Sequence, residues 1–571
     1  MDAADSLTLR SRGKDAWNKW AAQMLSDRRT LVENGDWTKS SRESEWNEAT
    51  RRWHADARAD FSEHHLKDEA DFTGYMFPGD ARFNKSTFHK AALFSGAIFW
   101  GKAEFKQAKF ARGAEFQRAE FSDDALFAES YFGHDAAFTE ATFTQSANFD
   151  VVRFHGIANF NQARFLRATQ FEMSNFSRDA LFNRSDFSGD VTFSDVAFEG
   201  NAEFERSRFS GKAQFGRANF TGKARFVRAS FLKGAGFSKS SFSSDARFGG
   251  AEFSRPVMFN GSTFSDVAEF NRSIFSGDAG FSQCVFKGLS LFQGALFEKG
   301  ADFVAIKSES VFTLAGAIFD NVPDFHQAHF SEAPRLDAST IRQRRARQPM
   351  HEAIQSWFKG DADLTARWRA LKRIAVQGHD HMHELEFFGR ELKSRRWSTD
   401  RPWHLAFWFG LVYGLVSGFG RSIFRPLFLW AVSPFVIAPL YLCAHFHYRG
   451  LSVSSFGWTI DRFVLQPLGA GKAETFHCLV GAGEAWQAAL GISARKALLF
   501  FGQDASDKLE LNYACLFNVV TQHAAPSGKL PSSFHLDVPY SVILLGAAQH
   551  IITAVLLFLL LLAIRNHFRI K

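Results

Sequence analysis

The chain has 571 residues, of which 67 are Phe against 7 Tyr and 14 Trp, and it carries a net charge of +7. Length alone suggests several globular domains, but no ordinary core favours phenylalanine so strongly over the other aromatics, and such a bias directs attention to an internal repeat. The four cysteines, at 284, 443, 478 and 515, follow no ligand-type spacing, which argues against a zinc ribbon or a disulfide-dense scaffold.

The N-terminal stretch MDAADSLTLRSRGKDAW lacks the apolar segment of a signal peptide, so this end is expected to stay in the cytoplasm. Residues 1–60 read as a helical cap, with Trp17, Trp20, Trp37, Trp46 and Trp53 available to cover the end of whatever follows.

From residue 61 the sequence becomes periodic. The stretch AEFKQAKFARGAEFQRAEFSDDALF places Phe105, Phe110, Phe116, Phe121 and Phe127 at alternating steps of five and six. That register runs from Phe61 to Phe330 through 50 positions, and only Leu66, Ser308 and Leu314 depart from Phe. Two residues before each stands a small side chain, as at Ala103, Ala108 and Ala114, and in an extended segment i−2 and i face the same way. A helix is excluded, because steps of five and six scatter around a 3.6-residue period. Each unit therefore reads as a very short strand followed by a turn such as SGD, GKA or TGK. At 306–314 large and small exchange places, with Ile306 before Ser308 and Phe312 before Leu314. The interior volume is roughly kept.

These AxFxx units resemble the phenylalanine-centred version of the pentapeptide repeat. The resemblance implies an all-β right-handed quadrilateral β-helix over 61–330. The extra residue in every second unit would make the coil 22 residues long. Twelve or thirteen coils at a strand spacing of about 4.8 Å give a solenoid about 60 Å long.

Some pentapeptide-repeat proteins imitate the charge of a DNA duplex, which requires dense negative charge. Residues 61–330 hold 29 Lys+Arg against 32 Asp+Glu, so the mimic reading is weak and the same balance argues against nucleic acid as a partner. One section, 201–250, has ten basic residues against three acidic and forms a local basic stripe, read here as part of a solvated outer face.

Residues 331–402 read as a basic helical linker. Within it 364–396 forms a helix pair, with Trp368, Leu371 and Ile374 on one apolar stripe and Leu385, Phe388 and Leu392 on another. His379, His381, His383, Glu384 and Glu386 invite a metal hypothesis, but alternate residues on a helix do not face one way, so no metal site is assigned. Residues 403–425 read as an interfacial amphipathic segment. Two charge-free stretches, within 426–446 and 541–564, match the roughly 20 residues needed to cross a bilayer, as transmembrane helices around an extracytoplasmic region 447–540. Arg421 and Arg425 precede the first span, and Arg565, Arg569 and Lys571 in the tail 565–571 follow the last, which places both termini and the repeat on the cytoplasmic side of a bacterial inner membrane. An oxidising exterior would allow Cys478 and Cys515 to pair, while two unpaired thiols fit the sequence as well.

The linker, the GxGRSxxRP sequence from Gly418 to Pro426 and the terminal LLLLAIRNHFRIK are similar to bacterial membrane proteins that join pentapeptide repeats to a two-span unit, some distantly channel-like. No TVGYG-type filter accompanies them. No nucleophile elbow, HExxH, P-loop or dinucleotide fingerprint occurs in a suitable context, so neither catalysis nor a cofactor is expected. The expectation is a membrane-anchored interaction scaffold touching membrane lipid and a protein partner. The alternative is a channel-like or mechanosensing protein that forms a homo-oligomer through its transmembrane helices, with the solenoid as assembly or gating domain.

Overall fold

The structure, a computed structural model, describes residues 1–40, 42–342, 362–396, 399–448, 482–498, 516 and 540–569. The chain divides into two compact units, Met1–Ser356 with Asp363–His383, and Trp357–Ala362 with Glu384–Lys571.

In the first unit, two-residue strands from Ala59–Asp60 to Thr340–Ile341 line up in four parallel sheets of 12, 13, 12 and 13 strands. Every strand pairs with the one 22 residues on: Ala103 faces Ala125 and Phe110 faces Phe132. One coil is thus 22 residues in four sides, as two elevens require. The period-two geometry of a strand turns Ala103 and Phe105 to one interior, where both are buried, while Glu104 between them stays on the outside.

The interior is a set of phenylalanine columns. Along one side, Phe105 stacks on Phe127 with centroids 4.8 Å apart and planes 2° from parallel, which is the strand spacing itself. Across the interior, Phe105 meets Phe116 edge to face at 5.5 Å and 88°. Burial of each ring contributes about 1.5–3 kcal/mol, and the edge-to-face geometry adds about 0.5–1.5 kcal/mol. Where Ser308 interrupts a column, Phe312 fills the gap and lies 5.8 Å from Phe286 and 5.3 Å from Phe330, the residues one coil before and after Ser308. The exchange of large and small seen in the sequence is thus a repacking that keeps aromatic contact along the column.

Two kinds of corner explain the five and the six. The five-residue step is a turn closed by a backbone bond, as from the Ala108 N–H to the Phe105 carbonyl at 3.1 Å, and its third residue is left-handed, with φ of 57° at Gln107 and 55° at Arg118. The six-residue step carries the SGD-type sequences. Its Asp accepts a backbone N–H from the next coil, as Asp190 does from Lys212 at 2.8 Å and Asp278 from Gly300 at 2.9 Å. The backbones of successive coils approach so closely there that a Cβ at Gly211 would lie 2.1 Å from the Gly189 carbonyl oxygen.

Three helices precede the solenoid: α1 (Ala3–Ser11), α2 (Lys14–Glu33) and α3 (Glu48–Ala57). Trp17 of α2 is fully buried over the first coil, 6.0 Å from Phe61 and 5.5 Å from Phe77, with its indole N–H on the Met76 carbonyl at 2.8 Å. Asn18 satisfies the open edge by donating to the Gly74 carbonyl at 3.0 Å and accepting from the Met76 N–H at 3.0 Å. Trp37, Trp46 and Trp53 pack around His54, so they build the cap, while Trp17 makes the seal on Phe61 and Phe77.

The far end is closed by α4 (Ala362–Gln377), which the sequence marked only as half of a helix pair. Arg367 lies 3.5 Å from Asp324 and donates to the Val322 carbonyl, Gln377 donates to the Phe330 carbonyl at 3.0 Å, and Trp368, Leu371 and Ile374 are buried.

The second unit contains α5 (His381–Arg395) from Glu384 onward, α6 (Leu405–Ser417), α7 (Phe424–Tyr448), α8 (Ala482–Ala497) and α9 (Tyr540–Arg569). On α5 the expected stripe is displaced. Leu385, Phe388 and Leu392 are half-buried, whereas Phe387, Gly389 and Glu391 are buried, because Phe419 seats on Gly389, where a Cβ would come within 2.9 Å of its ring. Helices α7 and α9 contain two stretches long and apolar enough to cross a membrane, Phe424–Ala444 and Tyr540–Phe568, with mean hydropathy 2.0 and 2.4. Pro434 and Pro439 lie inside α7. Helix α6, at 13 residues, rises about 20 Å, short of the roughly 30 Å hydrocarbon layer.

Candidate functional site

The structure places the repeat residues singled out from the sequence, Phe105, Phe110, Phe116, Phe121, Phe127, Ala103 and Ala108, inside the solenoid with no more than 1% of their surface exposed. They build the core and offer nothing to a ligand. What the solenoid presents outward is its four flat sides and four corner ridges. The depressions along it, one lined by Asn84, Lys85, Lys106 and Gln107 and another by Arg228, Gly250, Asn271 and Arg272, are open and shallow.

Serines at the small i−2 position do more than save space. The hydroxyls of Ser185, Ser207 and Ser273 donate at 2.7 Å to the carbonyls of Phe160, Phe182 and Phe248 in the preceding coil. Cys284 occupies the same position, with Sγ 3.0 Å from the Phe259 carbonyl, and burial pushes its thiol up to about 12. That cysteine is a core side chain without thiolate chemistry at neutral pH.

The histidine cluster resolves into a helix start. His379 is left-handed with φ 53°, and Asp380 accepts from the backbone N–H of His383 at 3.1 Å and contacts its ring Nδ1 at 2.6 Å. Glu386 binds Arg390 at 2.6 Å and Arg421 at 3.0 Å. No three His, Cys, Asp or Glu among the described residues are arranged to hold a metal. Of the basic flanks, Arg421 is thus engaged by a carboxylate, Arg425 and Arg565 are exposed, and Arg569 ends α9. Cys478, Cys515 and Lys571 lie outside the described residues.

Sequence reading missed a polar cluster among the apolar helices. Helix α8 packs against α7 and α9 through Ile437, Ala438, Tyr441, Ala485, Ala489, Ile492 and Val542. Buried Gln549 of α9 ties the three helices together: it accepts from the Tyr441 hydroxyl at 3.1 Å and donates to the Ser493 carbonyl at 2.6 Å and hydroxyl at 2.8 Å. Trp430 of α7 donates to the Ala497 carbonyl at 3.1 Å. The available signal was the run Gln549, His550, Thr553 in an otherwise apolar helix, spaced to share one face.

A four-sided parallel β-solenoid with helical ends and an interior filled with stacked phenylalanine defines a repeat protein. A family model described as pentapeptide repeats (9 copies) matches residues 72–120, 83–130, 160–208, 215–263 and 259–306, so the solenoid belongs to the pentapeptide-repeat family. No curated protein and no solved structure matches the chain.

Proposed function

We propose that this chain is a membrane-anchored, non-catalytic scaffold whose pentapeptide-repeat solenoid offers its long flat sides to a protein partner. The observation that carries this reading is the solenoid itself: ends covered by helices, an interior filled with phenylalanine, and charged groups on extended outer surfaces. Helices α7 and α9 supply the anchor in a bacterial inner membrane, with exposed apolar side chains such as Phe428, Leu544, Ile551 and Phe558 against lipid. Helix α6, with Trp408 exposed on it and Trp403 exposed just before it, lies in the interface. The flanking arginines orient the repeat toward the cytoplasm.

A second reading is favoured by one observation, the position of α8 against both apolar helices with a polar cluster between them. A short helix returning between two spans is the arrangement in which irregular backbone can line a water-filled path, as a channel-like oligomer requires. The test is the mass and ion conductance of the full chain purified in detergent and reconstituted in liposomes. The scaffold reading expects fractionation with membranes and no conductance. A symmetric oligomer that conducts overturns it in favour of the channel.

A further inference from the structure

Residues 22 apart at one corner of the solenoid are stacked at the strand spacing, about 4.8 Å, so a corner behaves as a ladder of side chains. At the left-handed corners this ladder is usually neutralised. Lys85 meets Glu63 at 3.3 Å, Arg118 meets Glu140 at 2.7 Å, and Arg217 meets Asp195 at 2.6 Å, each pair one coil apart. Farther along the Arg118 corner the pattern changes. After Gln162 the ladder reads Arg184, Arg206, Arg228, Gly250, Arg272, Gly294.

Those four arginines are exposed and make no ion pair among the described residues. The carboxylates of Glu203 and Glu205 on the adjoining side are held by Arg225 at 3.4 and 4.0 Å. The absent side chain at Gly250 does not break the ridge, because the stem of Arg228 leans over it: a Cβ at Gly250 would lie 3.5 Å from the Arg228 Cγ. Arg272 covers Gly294 in the same way, at 3.6 Å. All four arginines also hold a left-handed backbone, with φ of 58°, 57°, 55° and 55°, where glycine is favoured and is used at Gly74, Gly96, Gly294 and Gly316 of the same corner. A column of like charges stacked at strand spacing is self-repelling, and here it persists over four coils without a carboxylate partner among the described residues.

We propose that the ridge of Arg184, Arg206, Arg228 and Arg272 is a docking site for a short acidic segment of a protein partner, laid extended along the solenoid axis. The ridge spans four coils, about 19 Å, which matches about six extended residues. Guanidinium groups bind carboxylates through paired N–H donors, and a row of them selects a row of carboxylates by spacing as well as by charge. A duplex or a lipid surface fits less well. The ridge is bounded by Gln162 on one side and Gly294 on the other, Glu140 stands one coil beyond Gln162, and the solenoid as a whole is nearly neutral. The proposal rests on the scaffold reading, yet the two fail separately: conductance in liposomes would overturn the scaffold and leave peptide binding untouched.

The experiment uses the full chain in non-ionic detergent and a fluorescent hexaglutamate peptide, with binding read by anisotropy at low and high salt. Arg206→Gly/Arg228→Gly removes two guanidinium groups at positions glycine prefers, so the fold is retained, and the melting temperature verifies it. Arg217→Gly/Lys239→Gly removes the same charge from the other left-handed corner, where Lys239 also has φ 59°. The expected result is salt-sensitive binding weakened about tenfold or more by the ridge variant and less than about twofold by the matched variant. Equal weakening by both variants, no binding of hexaglutamate, or tighter ridge-dependent binding of duplex DNA or of anionic vesicles would each overturn the proposal.

Discussion

The solenoid and the bundle of α7, α8 and α9 are built on opposite plans. In the solenoid the phenylalanine columns are inside and the charged residues ring the outside. In the bundle Tyr540, Phe424 and Leu544 are 87%, 80% and 69% exposed, while Gln549 and Ser493 are buried. A core that excludes water and a surface that meets water produce the first arrangement. The second fits a surface that meets hydrocarbon, where inward polar groups bond one another because no solvent will satisfy them. The lesson is that burial alone does not locate the core of stability. Which atoms face which solvent does.

The sharpest way to break this contrast is to truncate one apolar side chain in each region. Phe105→Ala removes a ring that stacks on Phe83 and Phe127, both at 4.8 Å, and is expected to cost about 3–5 kcal/mol in thermal unfolding. Leu544→Ala in the bundle should leave unfolding in detergent almost unchanged. A large loss there would mean that Leu544 is covered by protein. Next in size, Gln549→Leu keeps the volume but removes the bonds to the Tyr441 hydroxyl and to Ser493, and should destabilise the detergent-solubilised bundle by about 1–2 kcal/mol. If the leucine variant is as stable as the parent, the polar cluster is not what joins the three helices.

Within the solenoid the same logic can be sharpened at single hydroxyls. Ser207→Ala removes a 2.7 Å bond to the Phe182 carbonyl and should cost about 1 kcal/mol. Ser130 is equally buried but its hydroxyl has no partner among the described residues, so Ser130→Ala should be neutral or stabilising. Equal effects in chemical denaturation would show that the small side chain, not the bond, is what the position requires. The smallest effect is expected at the N-terminal cap. His54 stacks on Trp46 at 3.9 Å, and burial chiefly lowers its basicity. The unfolded chain therefore takes up the proton first: cap stability is complete above about pH 6.5 and is lost as pH falls below that value. Tryptophan fluorescence melts at pH 7.5 and 5 should separate for the parent and converge for His54→Gln.

Much of the fold was legible in the sequence because each side of a coil is written with a single phenylalanine: the period follows by counting, and the coil length and number of coils follow once the resemblance to pentapeptide repeats supplies four sides. The corners were not legible. The left-handed position carries Gln107, Arg118 or Val151 as readily as glycine, since the closing hydrogen bond and the stacked coils hold the backbone there regardless of residue. The closing role of α4 was hidden as well, because an apolar stripe such as Trp368, Leu371 and Ile374 tells that a face is buried but not against what. Gln549 escaped notice inside a hydrophobic run whose length dominated its interpretation. Only half of the arginine ridge, Arg206 and Arg228, falls within the charge excess over 201–250. Its order came from knowing which residues share a corner.

The 22-residue register makes length a quantised property of this molecule. A duplication or loss of one whole coil would carry every column and ladder into register again and change the rod by a single rung of about 4.8 Å. Half that number would hand each side's residues to the opposite side, moving the arginine ridge half a turn around the axis. Insertions are therefore expected as multiples of 22, and the solenoid can act as a ruler whose graduations are set by the genetic text itself.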